Sequence, residues 1–168
     1  MNVAVEPLSR VKISNITKEL RKLIGCDNIP YFPIVHFIEW VLVNPESGME
    51  FELLEPHEMK DTYGTTNTGR NIMRIRSDVY EGAVKGNPRD RFTLCHELGH
   101  YLLHQPGCVS YARGKVPAYQ DPEWQANTFA AELMAPRDLV ANMSIERIMK
   151  ECGMSKQAAT IQYNVIHK

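Results

Sequence analysis

The chain has 168 residues and a formal net charge of −1, with basic and acidic side chains interspersed, which argues against a general polyanion binder. No apolar run approaches the ~20 residues needed to cross a bilayer, and no signal-peptide pattern follows the first methionine. The four cysteines are scattered without a C-x-x-C pair, so we expect a reduced, cytoplasmic protein with no membrane partner.

Two segments near the N-terminus are predicted to be helices. Residues 8–24 place apolar side chains at helical spacing, and Gly25 is suited to end that helix. Residues 33–43 repeat the helical pattern after a proline, which favours a first turn. A cluster of turn-forming residues at 44–48 then separates these helices from the middle of the chain.

The hydrophobic period changes from helical to extended in the middle of the chain. Residues 49–54 and 72–76 are predicted strands, and the polar segment 63–70 between them has glycines typical of turns. This order predicts an α+β fold in which a small antiparallel sheet packs on helices. We expect residues 1–168 to form one domain, in which residues 137–168 are a C-terminal helical hairpin.

A helix is predicted with Pro88 in its first turn and Asn87 as its cap. This helix carries an H-E-x-x-H pattern from His96 to His100. Four residues along an α-helix rise about 6 Å and rotate about 40°, so the two imidazoles lie on one face. Two neutral imidazoles at this spacing can bind one Zn²⁺, with Glu97 beside them to act on a water molecule. The pattern therefore predicts a metal face on a largely buried helix.

A second helix, which is predicted to begin at Pro122 and to be stopped by Pro136, offers a third ligand, which a two-histidine site requires. Glu123 is placed for that role, and Asn127 lies on the same face, where it can hydrogen-bond a ligating imidazole or carboxylate. Small residues such as Ala126, with Gly99 on the first helix, let the two backbones approach closely. The simpler alternative is that Glu123 only favours the positive end of its helix.

The sequence resembles one family through two motifs, His96-Glu-Leu-Gly-His100 followed by Leu-Leu-His104, and Glu123-x-x-Ala-Asn127-x-Phe-Ala-Ala-x-Leu-Met134. Both motifs resemble those of the ImmA/IrrE zinc metallopeptidases. The resemblance implies a thermolysin-like minimal zincin fold with one Zn²⁺ per chain, bound by His96, His100 and Glu123, and with Glu97 as the catalytic base. It also implies a protein substrate, since family members cleave helix-turn-helix transcriptional repressors and thereby relieve repression.

Two roles stay open at the level of sequence. His104 lies about 12 Å along the helix axis from His96, so one ion cannot take all three histidines from a straight helix. Three roles are therefore open for His104: support of a metal ligand from behind, contact with the substrate, or a structural role. The side chain that stabilises an oxyanion is open between Tyr80, Tyr101 and Tyr111, which all carry a suitable hydroxyl.

The C-terminal segment, residues 145–166, supports an alternative from another class. A helix, a turn at Gly153, a cap at Ser155 and a second helix resemble helix-turn-helix spacing. The alternative function is a non-catalytic, zinc-stabilised regulatory protein that binds DNA or a partner through this hairpin. The second helix has two lysines and one histidine, fewer basic groups than a DNA reader needs, so we expect no direct nucleic-acid binding.

Substrate docking is predicted at the edge of the sheet. Proteases commonly bind substrate as an extended strand, because backbone hydrogen bonds give affinity with little sequence demand. Residues 72–76 form the strong predicted strand nearest in sequence to the H-E-x-x-H helix. We therefore expect that strand to lie beside the zinc cleft and to pair with a segment of the substrate.

Overall fold

The computed structural model describes residues 2–168, which form nine α-helices and two small sheets. The helices are α1 (Arg10–Leu23), α2 (Ile34–Phe37), α3 (Pro56–Met59), α4 (Ser77–Val84), α5 (Pro88–Leu103), α6 (Pro122–Met134), α7 (Arg137–Val140), α8 (Ile145–Cys152) and α9 (Lys156–Ile166). The strands are β1 (Asn2–Val5), β2 (Glu50–Leu54), β3 (Gly64–Asn67), β4 (Ile72–Arg76) and β5 (Val109–Ala112). The predicted α+β class is confirmed. Within residues 2–168, no helix is both long and apolar enough to cross a membrane.

The larger sheet has the strand order β2-β4-β3, with β3 antiparallel and β2 parallel to β4. The prediction of a purely antiparallel sheet therefore fails for one pair. Residues 55–71, which include α3 and β3, provide the long connection that parallel pairing requires. Because β4 lies between β2 and β3, both of its edges are paired. The prediction that residues 72–76 pair with a substrate is wrong.

β3 is an edge strand in a segment that the sequence predicts as turns. The Arg76 N–H donates to the Tyr63 carbonyl at 3.0 Å, which makes these two residues a hydrogen-bonded pair in the antiparallel ladder. Hydrogen-bonded pairs alternate with non-bonded ones, so Gly64 and Thr66 direct their backbone N–H and C=O groups away from β4. No strand among the described residues pairs with that outer edge.

A second, two-stranded sheet was not predicted. β1 pairs antiparallel with β5, which lies in the segment of residues 107–120 where the sequence has no clear period. Beyond the strands, the Glu6 N–H donates to the Cys108 carbonyl and the Leu8 N–H to the Tyr119 carbonyl. The N-terminal segment is thereby fixed against the connection between α5 and α6.

The helices α5 and α6 are in close contact at Gly99. A Cβ atom at this position would lie 3.2 Å from the Ala126 Cα and 3.1 Å from the Phe129 Cδ1, which is tighter than ordinary van der Waals contact, so a side chain here would require α6 to shift by a few tenths of an ångström. This confirms the predicted close contact between Gly99 and the small residues of α6. The contact brings the first turn of α6 alongside the histidines of α5.

A buried arginine joins α5 to the turn between α8 and α9. Arg91 is 1% exposed, and its guanidinium donates to the Phe32 carbonyl at 2.7 Å and to the carbonyls of Cys152 and Gly153 at 2.9 Å each. Gly153 has a φ of 65°, and a Cβ there would lie 2.3 Å from the Arg91 Nη1. The guanidinium thus occupies the space above a glycine turn and fixes the C-terminal hairpin on α5.

We expect Arg91→Met to lower the free energy of unfolding by about 3 kcal/mol, because buried carbonyls lose charged donors. Arg147→Met is the control, since the ion pair of Arg147 with Glu151 lies on the surface and contributes about 1 kcal/mol or less. Urea unfolding of both variants measures the difference. Equal losses in the two variants would show that Arg91 does not fix the hairpin.

Candidate active site

Three side chains from α5 and α6 converge on one point. The His96 Nε2 and His100 Nε2 are 3.0 Å apart, and the two Glu123 carboxylate oxygens lie 3.3 Å from these nitrogens, one oxygen to each. Zinc bonds of about 2.0–2.1 Å in tetrahedral geometry place neighbouring ligand atoms about 3.3 Å apart. Within residues 2–168, these three residues form the one group of histidine, cysteine or acidic side chains close enough to share an ion.

The hydrogen bond behind His96 decides what this ring presents to the cluster. The Asn127 Oδ1 is 3.0 Å from the His96 Nδ1, and because an amide oxygen only accepts, this contact favours a proton on the Nδ1. In the neutral ring the Nε2 is then unprotonated and faces a carboxylate oxygen of Glu123. A lone pair that faces a carboxylate oxygen is unfavourable unless a cation lies between them, and the two imidazoles and the carboxylate are a donor set that fits zinc.

Glu97 lies in the same turn of α5, and its side chain contacts β3 of the larger sheet. Its side chain is buried, and the Thr66 hydroxyl donates to its Oε2 at 2.7 Å. A Cβ at Gly64 would lie 2.7 Å from the Glu97 Cγ, so only glycine allows β3 this close. Burial raises the pKa of Glu97, although the hydrogen bond from Thr66 acts to lower it. The raised pKa makes the carboxylate a better proton acceptor.

His104 lies behind His100, because the chain leaves the helix at this residue, with φ −114° and ψ 49°. Its Nδ1 is 2.9 Å from the His100 Nδ1, and its Nε2 is 3.1 Å from the Gln125 Oε1. Burial lowers the pKa of His100 to about 3 and also lowers that of His104. Both rings are therefore neutral near pH 7, the state that a metal ligand requires.

A cleft of about 390 Å³ opens beside His96 and Glu97. Residues 61–64 form one wall and Phe92 and Thr93 of α5 form the other, with Asn127 also at the surface. Sequence reasoning missed the first wall, because it gave residues 61–62 no element and predicted turns in residues 63–70. The paired threonines after Gly64 were the available signal, since β-branched residues favour strands.

The three tyrosines proposed from sequence as oxyanion stabilisers lie outside this cleft. The Tyr80 hydroxyl donates to Glu39, and burial raises the pKa of Tyr80 to about 12. The Tyr101 hydroxyl donates to an asparagine, and Tyr111 is 74% exposed on β5. The tyrosine that lines the cleft is Tyr63, from the wall that was not predicted as a strand.

An α+β fold that brings an H-E-x-x-H helix against a second helix carrying a glutamate defines a zincin-like metallopeptidase. Residues 55–162 match the peptidase M78 family, described as the IrrE N-terminal-like domain. The chain therefore belongs to this metallopeptidase family, and the resemblance to the ImmA/IrrE peptidases is confirmed. No curated protein matches the chain.

Proposed function

We propose that the protein is a zinc endopeptidase that cleaves a helix-turn-helix transcriptional repressor and thereby relieves repression. The observation that carries the proposal is the buried carboxylate of Glu97, which lies in the same helix turn as two converging imidazoles and lines an open cleft. Membership of the metallopeptidase family supports the reaction class, and the ImmA/IrrE resemblance supports the choice of a repressor as substrate. A substrate of this kind places the protein in the cytoplasm.

In this proposal, His96, His100 and Glu123 hold the metal. When bound, zinc supplies Lewis-acid chemistry, which polarises the scissile carbonyl and lowers the pKa of a water molecule. Glu97 accepts a proton from the attacking water and passes it to the leaving amine. The Thr66 hydroxyl holds the Oε2 of Glu97, so the Oε1 is the atom that takes part in proton transfer.

We further propose that the substrate pairs with β3 rather than with β4. The outer edge of β3 carries the backbone groups of Gly64 and Thr66, and Gly64 itself lines the cleft. An extended peptide added to that edge gains backbone hydrogen bonds while it passes Glu97. Cleavage is then expected in a linker or a locally unfolded stretch, because a peptide inside a stable helix cannot pair with a strand.

A photo-crosslinking experiment tests this docking site. In a Glu97→Gln background, which retains uncut substrate, a photo-crosslinking amino acid replaces Thr65 on β3 or, as the control, Leu53 on β2. Both residues are exposed, and they lie on opposite edges of the same sheet. We expect crosslinks to a co-encoded repressor from position 65 and few from position 53. If the repressor bound the Glu97→Gln variant but formed no crosslink at position 65, the substrate would dock at a site other than β3.

The C-terminal hairpin is the other docking candidate, and one contact weakens its DNA-binding interpretation. Gln162 is among the polar residues that the second helix offers, but it is fully buried and its Nε2 donates to the Ala135 carbonyl at 2.9 Å. It is therefore used for packing of α9. This supports the peptidase as the first proposal and leaves the hairpin a packing role.

A further inference from the structure

A chain of buried polar side chains extends behind His100, away from the cleft. It begins at Gln125, which is fully buried in α6 and whose Nε2 donates to the Glu6 carbonyl at 2.7 Å and to the Tyr119 carbonyl at 2.8 Å. Carbonyl oxygens only accept hydrogen bonds, so the amide nitrogen of Gln125 must face them. Its Oε1 then faces the opposite way, toward His104.

The fixed amide determines where the protons lie on two histidines. Because the Gln125 Oε1 only accepts, the His104 Nε2 at 3.1 Å carries a proton. The Nδ1 of the neutral His104 ring is then an acceptor, and the His100 Nδ1 at 2.9 Å must donate to it. A proton on the His100 Nδ1 leaves the His100 Nε2 with its lone pair directed at the metal cluster.

We propose that Gln125 and His104 are positioning residues that fix His100 in the tautomer able to bind metal. Asn127 achieves the same for His96 through one hydrogen bond, whereas His100 depends on two residues and on the carbonyls of Glu6 and Tyr119. These carbonyls belong to the N-terminal segment and to the connection before α6, so the packing of both is linked to the readiness of the site. The proposal rests on the metal role of His100 but not on peptidase activity.

The direct test is the tautomer of His100 in the metal-free wild-type protein. Long-range ¹H–¹⁵N correlation spectra of ¹⁵N-histidine-labelled protein distinguish a protonated ring nitrogen from an unprotonated one. We expect a protonated Nδ1 and an unprotonated Nε2 for His100, and a protonated Nε2 for His104. A His100 ring protonated on Nε2 would overturn the proposal. Since this measurement uses the wild-type chain, it does not depend on whether any variant folds.

Two variants test the consequence for metal affinity. Gln125→Met and His104→Phe keep apolar volume but remove the hydrogen-bond chain, and zinc binding measured by chelator competition should weaken about 10–100-fold. Gln162→Met is the matched control, since Gln162 is equally buried but lies on α9, and its zinc affinity should be unchanged. Unchanged affinity in both folded variants would refute the role. If His100 showed the predicted tautomer but the protein had no peptidase activity, the proposed function would be refuted and the positioning role of Gln125 and His104 would stand.

Discussion

Replacing Glu97 with glutamine is expected to lower the rate of repressor cleavage by about 10²–10⁴, the contribution typical of a general acid–base group. Glutamine has nearly the same shape, so the Thr66 hydroxyl can still donate to its side-chain oxygen and the contact with Gly64 is preserved. Glutamine cannot accept the proton of the attacking water. The measurement is the single-turnover rate of cleavage, with zinc content determined on the same sample.

The control for this substitution is Glu81→Gln, which makes the same chemical change at an exposed position of α4. It should leave the rate unchanged. If Glu97→Gln retained zinc and fold and still cleaved at the wild-type rate, Glu97 would not be the base. Loss of zinc together with activity would instead indicate that this carboxylate supports the metal site, which is contrary to the proposed mechanism.

Replacing Glu123 with alanine is expected to remove most of the zinc from the purified protein. The wild-type chain should carry close to one zinc ion, because three ligands converge at a spacing that fits one tetrahedral site. Loss of a ligand should weaken affinity by more than the roughly 10–100-fold that loss of a supporting residue costs. Elemental analysis of the purified proteins measures the ratio of zinc to chain.

The matched control for Glu123 is Glu146→Ala. Glu146 is an exposed acidic residue in the first turn of α8, just as Glu123 is in the first turn of α6. Both substitutions remove a favourable interaction with a helix N-terminus, but only Glu123 lies next to two imidazoles. Equal zinc content in the two variants would support the alternative in which Glu123 serves only its helix.

The helices that carry the site could be predicted because their signals are local. Asn87 caps α5 by accepting from backbone N–H groups, Asp121 does the same for α6, and a proline follows each cap. The H-E-x-x-H spacing places two histidines on one face through helix geometry alone. Bringing Glu123 beside them required only that α6 pack on α5 at Gly99, which the small residues on both helices indicated.

The sheet could not be predicted to the same degree, because strand order depends on contacts that are distant in sequence. The segment Gly64–Asn67 is polar and has little strand pattern of its own, and it is extended because it pairs with β4 and contacts Glu97 on the other side. The central position of β4 follows from its partners, not from its own alternation. The sequence therefore predicted substrate pairing at β4, which has no free edge.

The hydrogen bonds behind the metal ligands also include some that the sequence predicts and some that it does not. Asn127 could be placed behind a ligand because it lies one helical turn after Glu123. For His104, a place behind a ligand was one of three open roles, since its position depends on where α5 ends and the chain leaves helical geometry. Gln125 was missed altogether, because its role depends on the carbonyl of Glu6, which is 119 positions away in sequence.

Cleavage of a repressor encoded beside the gene is the decisive measurement of zinc peptidase activity. The purified zinc-loaded protein is incubated with the repressor, with and without a chelator, and the products are measured by intact-protein mass spectrometry. We expect two fragments whose masses sum to that of the repressor plus one water. These fragments should be absent when the chelator is present and when Glu97→Gln replaces the wild type. Fragments that form equally with chelator or with Glu97→Gln would contradict a zinc mechanism at this site.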